Sequence, residues 1–181
     1  MKKIVQLVLS LTAIAAVCAA VLATVNAVTK DQIASIKERA TQNAARLVMP
    51  ASVKEVERKS GTDGEDYFVG KGAGDKPVAY ALKGKSGQGY GGDIVLMVGF
   101  LPDRTIVTYQ KLEAAETPGL GSNLTSEGFM KQFKGMPAAK DISVSKDGGE
   151  VEAITSATIT SRAVCGAINA ARARLDKLLT R

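Results

Sequence analysis

The chain of 181 residues contains no histidine and only two cysteines. Without histidine it lacks the commonest general base and metal ligand, which excludes Ser-His-Asp and Cys-His catalysis, His-zinc sites and a proximal haem histidine. Cys18 and Cys165 are too few for a thiolate cluster, and we interpret Cys165 as a small buried residue. Any redox chemistry would therefore need an organic cofactor. We predict no catalytic residue and no metal-ligating residue in this chain.

Aromatic residues are also scarce, at 4% of the chain, and tryptophan is absent. The formal net charge is +6, but the lysines and arginines are scattered. They do not alternate with aromatic residues as a groove for single-stranded nucleic acid requires. We therefore expect no nucleic-acid partner. The length allows one compact domain beside an apolar N-terminal segment.

The N-terminal segment Ile4 to Val28 carries no charge and follows Lys2 and Lys3. It exceeds the roughly 20 apolar residues that a helix needs to span a bilayer. The alternative is a signal peptide cleaved near Val25-Asn26-Ala27, but its apolar core would run only about 7 to 15 residues. We favour a retained anchor over residues 1–28, with the rest of the chain on the extracytoplasmic side of the plasma membrane, because long domains translocate largely regardless of flanking charge.

Residues 29–50 predict a stalk helix, because Thr29 and Gln32 resemble a capping box and the helical periodicity ends before Pro50. Residues 51–181 predict an α+β domain, in which an antiparallel sheet is flanked by helices. A short helix is expected at 126–133, and a longer one ends the chain. The strands are expected at 53–56, 67–70, 78–82, 93–100, 105–112, 142–145 and 151–154.

The glycine-rich segment Gly84 to Gly92 invites comparison with a phosphate-binding loop. It lacks the Gly-Lys-Ser/Thr ending and the following helix that such a loop requires, because a buried strand pattern follows at 93–100. The segment therefore predicts a loop in which glycine permits a close approach of another backbone.

Between the last predicted hairpin and the short helix, the periodicity breaks at Glu116-Thr117-Pro118-Gly119-Leu120-Gly121. Its proline and glycines predict a tight turn, and its glutamate and threonine place polar atoms beside a leucine. Such a rigid, mixed surface suits a planar heteroaromatic ligand. The alternative is a plain connection into the helix at 126–133.

The stretch Glu152 to Val164 lies where a strand pattern changes into a helix pattern. The unpaired N–H groups and the positive dipole end of a helix favour an anion, particularly a phosphate. Serine and threonine are also the ordinary N-cap residues, so an N-cap with surplus hydroxyls is the alternative. The hydroxyls belong to Thr155, Ser156, Thr158, Thr160 and Ser161.

With the anchor and these motifs together, the chain resembles the FMN-binding G subunit of Rnf-type electron transport complexes. It is similar, more distantly, to the C subunit of the sodium-pumping NADH:quinone reductase. The resemblance covers nearly the whole chain. Its motifs are Gly89-Tyr90-Gly91-Gly92-Asp93-Ile94, Glu116 to Gly121 and Ala153 to Val164, in this order behind the anchor.

The resemblance implies FMN joined through its phosphate to the threonine hydroxyl that closes a Ser/Thr-Gly-Ala-Thr motif. Here that residue is Thr158, with Thr160 as the runner-up, and a separate flavin transferase would make the bond with FAD as donor. Two positions depart from the commonest form, since Glu152 replaces aspartate and Ser156 replaces glycine. A positive φ would cost more energy for Ser156 than for glycine, because serine has a Cβ. The phosphate would sit at the N-terminus of the helix, with Arg162 close in sequence.

The other cofactor-binding residues implied by the resemblance lie in the same two motifs: Thr155, Ser156 and Ala157, and Glu116, Thr117, Gly119 and Leu120. The chain would be an electron-transfer subunit, not a complete enzyme alone. Its partners would be the other membrane subunits of a ferredoxin/NAD-linked, ion-translocating oxidoreductase. The alternative from another class is an anchored envelope binding or sensor domain without flavin.

Overall fold

A computed structural model describes residues 2–61, 64–74, 76–138 and 140–180 of the chain. The chain forms two compact units, Met1–Ala40 and Thr41–Arg181. The described helices are α1 (Lys2–Leu47), α2 (Glu127–Met130) and α3 (Thr158–Leu179). The described strands are β1 (Glu55–Ser60), β2 (Asp66–Lys71), β3 (Pro77–Ser86), β4 (Ile94–Phe100) and β5 (Ile106–Glu113).

Helix α1 is long and apolar enough to cross a membrane. Its most apolar stretch has a mean hydropathy of 2.4, and none of that stretch is buried. At 1.5 Å per residue the helix is roughly 69 Å long, about twice the thickness of a hydrocarbon core. The predicted capping box at Thr29 is wrong, because no helix begins there. Instead, the Thr29 hydroxyl donates a hydrogen bond to the carbonyl of Val25, four residues earlier in the same helix, at 2.8 Å.

The predicted antiparallel sheet is confirmed, and its five strands lie side by side in chain order. The predicted hairpin is present as the β4–β5 pair, which turns at Leu101 to Arg104. Strand β1 begins at Glu55 and continues to Ser60, later than the predicted 53–56. The predicted short helix is present as α2 and a following 3-10 turn at Lys131–Phe133.

Both faces of the sheet are covered, which explains why β4 is buried along nearly its whole length. On one face, Leu82, Leu96 and Val98 belong to the same core as Ala167 and Ile168 of α3. On the other face, Ala81 and Met97 pack with the chain at the end of α1. The residues that pack there are Ala44, Ala45, Val48 and Met49.

Helix α3 lies directly against β3 because Gly84 has no side chain. A Cβ at Gly84 would stand 1.9 Å from the carbonyl oxygen of Ala167. The predicted role of the glycine segment, close approach of another backbone, is therefore seen at Gly84, although Gly84 lies within β3 and not in a loop. This contact fixes α3, and with it the start of α3 at Thr158, relative to the sheet.

The strands predicted at 142–145 and 151–154 are wrong. Only one isolated bridge, between Val144 and Val151, forms there within the described residues. The physical reason is that a side chain takes the place of a neighbouring strand. The Ile142 N–H donates to the Asn169 amide oxygen at 2.9 Å, and the Asn169 amide nitrogen donates back to the Ile142 carbonyl at 2.8 Å. A 3-10 turn at Ser145–Asp147 follows, and the bridge between Val144 and Val151 that flanks it is parallel.

Candidate functional site

A cavity of about 480 Å³ lies where three segments of the chain meet, and its volume is within the range of small-molecule sites. The segments are the glycine-rich loop after β3, the Glu116 to Gly121 loop and the start of α3. Three exposed apolar side chains line it: Tyr90, Leu120 and Ile159 are 72%, 43% and 49% exposed. The full lining is Tyr90, Glu116, Thr117, Leu120, Gly121, Ser156, Ala157, Thr158, Ile159 and Thr160.

The carboxylate of Glu116 ties the three segments together. Its Oε1 accepts a hydrogen bond from the Gly91 N–H at 3.2 Å, and its Oε2 accepts one from the buried Thr160 hydroxyl. Glycine at Gly121 makes room for this carboxylate, since a Cβ there would stand 2.4 Å from Oε2. Glu116 therefore positions the walls of the cavity, a role that the sequence did not indicate.

We expect Glu116→Ala to destabilise the domain by about 1 to 3 kcal/mol, because the Thr160 hydroxyl and the Gly91 N–H lose their acceptor. The melting temperature of the purified full chain should fall by roughly 2 to 4 °C per kcal/mol. Glu150→Ala, which removes an exposed carboxylate, is the control. Equal melting temperatures for the two variants would show that Glu116 does not hold the segments together.

The Glu116 to Gly121 loop is the tight turn that its proline and glycines predict. The Thr117 carbonyl accepts the N–H groups of both Leu120 and Ser122 at 3.2 Å. Gly119 has a φ of 75°, in the left-handed region that favours glycine, and its N–H donates to the Ser122 hydroxyl at 2.9 Å. The turn holds the Leu120 side chain at the cavity, while the N–H groups of Gly119 and Leu120 are bonded within the turn and to its flanking residue Ser122.

The start of α3 does not use the surplus hydroxyls as caps. The N-cap residue is Ala157, and no side chain caps it among the described residues. Ser161, one turn into the helix, instead accepts the Ile154 N–H at 2.9 Å and donates to the Ala157 carbonyl at 3.0 Å. The N-cap alternative is therefore wrong, and Thr158 is left with its hydroxyl at the cavity.

Ser156 has a φ of 62°, in the region where glycine is comfortable and other residues are strained. We expect Ser156→Gly to raise the free energy of unfolding by about 1 kcal/mol, because glycine relieves that strain. The measurement is the melting temperature of the full chain. Ser156→Ala removes the same hydroxyl but keeps the Cβ, so it should give no increase. A higher melting temperature in both variants would show that strain at Ser156 is not the cause of the increase.

The two candidate acceptor threonines differ in their surroundings. Thr160 is 1% exposed and donates to Glu116, whereas Thr158 is half-buried and receives a hydrogen bond from the Lys146 ammonium, Nζ to Oγ1, at 3.4 Å. The guanidinium of Arg162 forms two hydrogen bonds of 2.7 Å with the Asp147 carboxylate. Lys146, not Arg162, is the cation on the Thr158 hydroxyl.

Six of the predicted site residues line this one cavity, while Thr155 and Gly119 line a neighbouring cavity of about 680 Å³ that shares Leu120 and Ser156. Sequence reasoning missed Tyr90, Ile159 and Lys146. Tyr90 stands out only as a lone aromatic residue among glycines. No sequence signal marks Lys146, because the 3-10 turn at Ser145–Asp147 brings it to Thr158 from twelve residues away. The six are Glu116, Thr117, Leu120, Ser156, Ala157 and Thr158.

Comparison with known proteins agrees with this geometry. The FMN-binding domain family matches residues 89–173, a range that contains every residue lining the cavity. The chain therefore contains an FMN-binding domain.

Three relatives, each the G subunit of an oxidoreductase complex, align over most of their length. That of the ion-translocating oxidoreductase complex of Methanosarcina acetivorans is 32% identical over 94% of this chain and 93% of its own. That of the Na(+)-translocating ferredoxin:NAD(+) oxidoreductase complex of Acetobacterium woodii is 31% identical, covering 93% and 89%. That of the proton-translocating ferredoxin:NAD(+) oxidoreductase complex of Clostridium ljungdahlii is 34% identical, covering 73% and 70%. The chain belongs to the family of G subunits of ion-translocating oxidoreductase complexes.

A solved structure shares the fold. The crystal structure of Shewanella oneidensis NqrC superposes with a TM-score of 0.52 at 21% identity, covering 75% of this chain and 73% of that one. The predicted α+β architecture, an apolar N-terminal helix followed by an antiparallel sheet with helices, is confirmed.

Proposed function

We propose that this chain is a membrane-anchored electron-transfer subunit that carries FMN through a phosphoester to Thr158. The observation that carries the proposal is one cavity that is lined both by the half-buried Thr158, the first residue of a helix, and by exposed apolar side chains. A phosphate suits the helix start, and a flavin ring suits the apolar side chains. The chain relays electrons and does not complete a reaction alone.

The residues present fit FMN at both of its ends. At the phosphate end, the N–H groups and dipole of α3 favour an anion, and the Lys146 ammonium adds a positive charge. At the ring end, Tyr90, Leu120 and Ile159 offer apolar contact area. When bound, FMN supplies one- and two-electron transfer. Thr117, Ser156, Ala157, Gly119 and Thr155 complete the walls of this cavity and its neighbour.

The covalent bond requires an accessible hydroxyl, and this requirement separates the two candidates. Thr158 lines the cavity, whereas Thr160 is buried and its hydroxyl donates a hydrogen bond to Glu116. A flavin transferase can approach Thr158 without opening the core.

Burial supports our interpretation of Cys165 as a packing residue. It raises the pKa of the Cys165 thiol to about 12 and keeps the thiol protonated.

The anchor would hold the flavin domain beside the other subunits of its complex. Residues 1–28 would form the anchor that spans the membrane with the N-terminus inside, residues 29–50 would form the stalk, and residues 51–181 would form the FMN-binding domain outside. The relatives named above are subunits of ion-translocating complexes, two of them ferredoxin:NAD(+) oxidoreductases, and we assign this chain to a complex of that kind.

A fusion of alkaline phosphatase to the C-terminus tests the orientation of the anchor. The fusion should be active if the FMN-binding domain lies outside; an inactive fusion would place the domain inside.

The test of the proposed function is the mass of the intact chain expressed with and without a flavin transferase. With the transferase, we expect an increase equal to FMN minus one water and a band that fluoresces on a denaturing gel. Without it, neither should appear. A chain whose mass never changes would support the alternative, an anchored binding or sensor domain without flavin.

A further inference from the structure

Lys146 reaches Thr158 from a separate part of the chain. It lies in the 3-10 turn at Ser145–Asp147, and its Nζ is 3.4 Å from the Thr158 oxygen. The residue is exposed, so this position is not forced on it by burial. An exposed lysine that folds onto a hydroxyl at the wall of a cavity places a positive charge where an anion would be attached.

The turn that carries Lys146 is clamped to α3 by the next residue. The Asp147 carboxylate accepts two hydrogen bonds of 2.7 Å from the Arg162 guanidinium, a bidentate pair with a fixed geometry. That guanidinium, through its hydrogen bonds, lowers the pKa of the Asp147 carboxyl. Val144, just before the turn, is fully buried and fixes its other side. The Asp147–Arg162 pair therefore keeps the Lys146 side chain within reach of Thr158.

We propose that Lys146 is a positioning residue for flavin attachment, which holds the Thr158 hydroxyl and neutralises the phosphate that becomes bonded to it. This inference rests on the proposed function and adds a residue to it. Arg162 is occupied by Asp147, so the charge at Thr158 comes from Lys146.

The step that Lys146 assists is a phosphoryl transfer from FAD. The Thr158 oxygen forms a bond to the phosphorus on the riboflavin side of the pyrophosphate. The bond from that phosphorus to the bridging oxygen breaks, and AMP leaves with the oxygen and its electron pair. The hydroxyl proton passes to a base of the transferase. Negative charge grows on the Thr158 oxygen and the phosphoryl oxygens, which a neighbouring ammonium stabilises.

The test is the rate at which the purified full chain, expressed without transferase, is labelled when FAD and a flavin transferase are added. Covalent flavin is read from gel fluorescence. We expect Lys146→Ala to lower kcat for labelling about tenfold, the size of one charge-assisted hydrogen bond. Lys146→Arg should restore most of the rate, and Lys146→Glu should be slower than Lys146→Ala. Added salt should reduce the difference in labelling rate between wild type and Lys146→Ala, because salt screens the charge of the lysine.

The matched control is Lys177→Ala, which removes the same charge from an exposed lysine of α3 roughly 28 Å along the helix from Thr158. It should label at the wild-type rate, and all variants should keep the wild-type melting temperature. Equal rates for Lys146→Ala and wild type would overturn the inference alone. So would a loss confined to KM, which would assign Lys146 to docking the transferase, or an arginine variant as slow as the alanine variant. A wild-type chain that is never labelled would overturn the proposed function and this inference together.

Discussion

The Thr158→Ala variant is expected to carry no flavin through a denaturing gel, even when it is expressed with a flavin transferase. Alanine has no oxygen to bond to phosphorus, and the neighbouring hydroxyls are poorly placed to replace it. Thr160 is buried and bonded to Glu116, and Ser161 bonds to the backbone on both sides. Thr158→Ser keeps a hydroxyl at the same place and should retain fluorescence.

Two variants control for the loss of a hydroxyl elsewhere in the turn. Thr155→Ala removes an exposed hydroxyl that lines the neighbouring cavity, and Thr160→Val keeps the buried shape of the runner-up while removing its oxygen. Both should give a fluorescent band. If Thr158→Ala fluoresced and Thr160→Val did not, the attachment site would be Thr160.

The Gly84→Ala variant is expected to destabilise the domain strongly. The added Cβ would lie 1.9 Å from the Ala167 carbonyl oxygen and 2.9 Å from the Ala171 Cβ. The atoms it meets belong to the backbone and core of α3, so the helix must move off the sheet. Overpacking of this kind costs about 3 kcal/mol. For a chain of this length we expect the melting temperature to fall by roughly 6 to 12 °C.

The control for this variant is Gly128→Ala in α2. A Cβ at Gly128 would meet nothing within 4 Å, so alanine there should leave the melting temperature unchanged or raise it slightly. Because α3 carries Thr158 at its start, Gly84→Ala should also slow flavin attachment. A Gly84→Ala chain that melted like the Gly128→Ala chain would show that the contact between β3 and α3 relaxes without cost.

The five strands of the sheet and the two site motifs could be predicted from the sequence because their signals are local. Alternating apolar residues, glycine and proline turns, and a hydroxyl-rich helix start each lie within one short stretch. The strands predicted at 142–145 and 151–154 are wrong for the converse reason. Both segments have the pattern of strand residues, but in each a side-chain amide takes both backbone bonds of one residue: Asn169 bonds Ile142, and Gln132 bonds Glu152.

The chemistry of the site was less predictable than its location. Arg162 is near Thr158 in sequence, yet it pairs with Asp147, while Lys146 is distant in sequence and bonds to Thr158. Glu116 lines the cavity, and both of its carboxylate oxygens bond within the protein, which its place in the sequence does not reveal. Each of these outcomes depends on how a tertiary contact distributes a charge, which a linear pattern does not encode. The positive φ at Ser156, by contrast, could be predicted from the sequence. The resemblance places glycine at this position of the motif, and glycine adopts a positive φ readily.

The central claim is that one oxygen atom, that of Thr158, carries the flavin. The most direct test is tandem mass spectrometry of the chain after expression with a flavin transferase. Trypsin cleaves after Lys146 and Arg162 and releases residues 147–162, which contain every hydroxyl of the turn. We expect the fragment ions to place the added mass, FMN minus one water, on Thr158. Added mass on Thr160 or any other hydroxyl, or an unmodified peptide, would contradict the account.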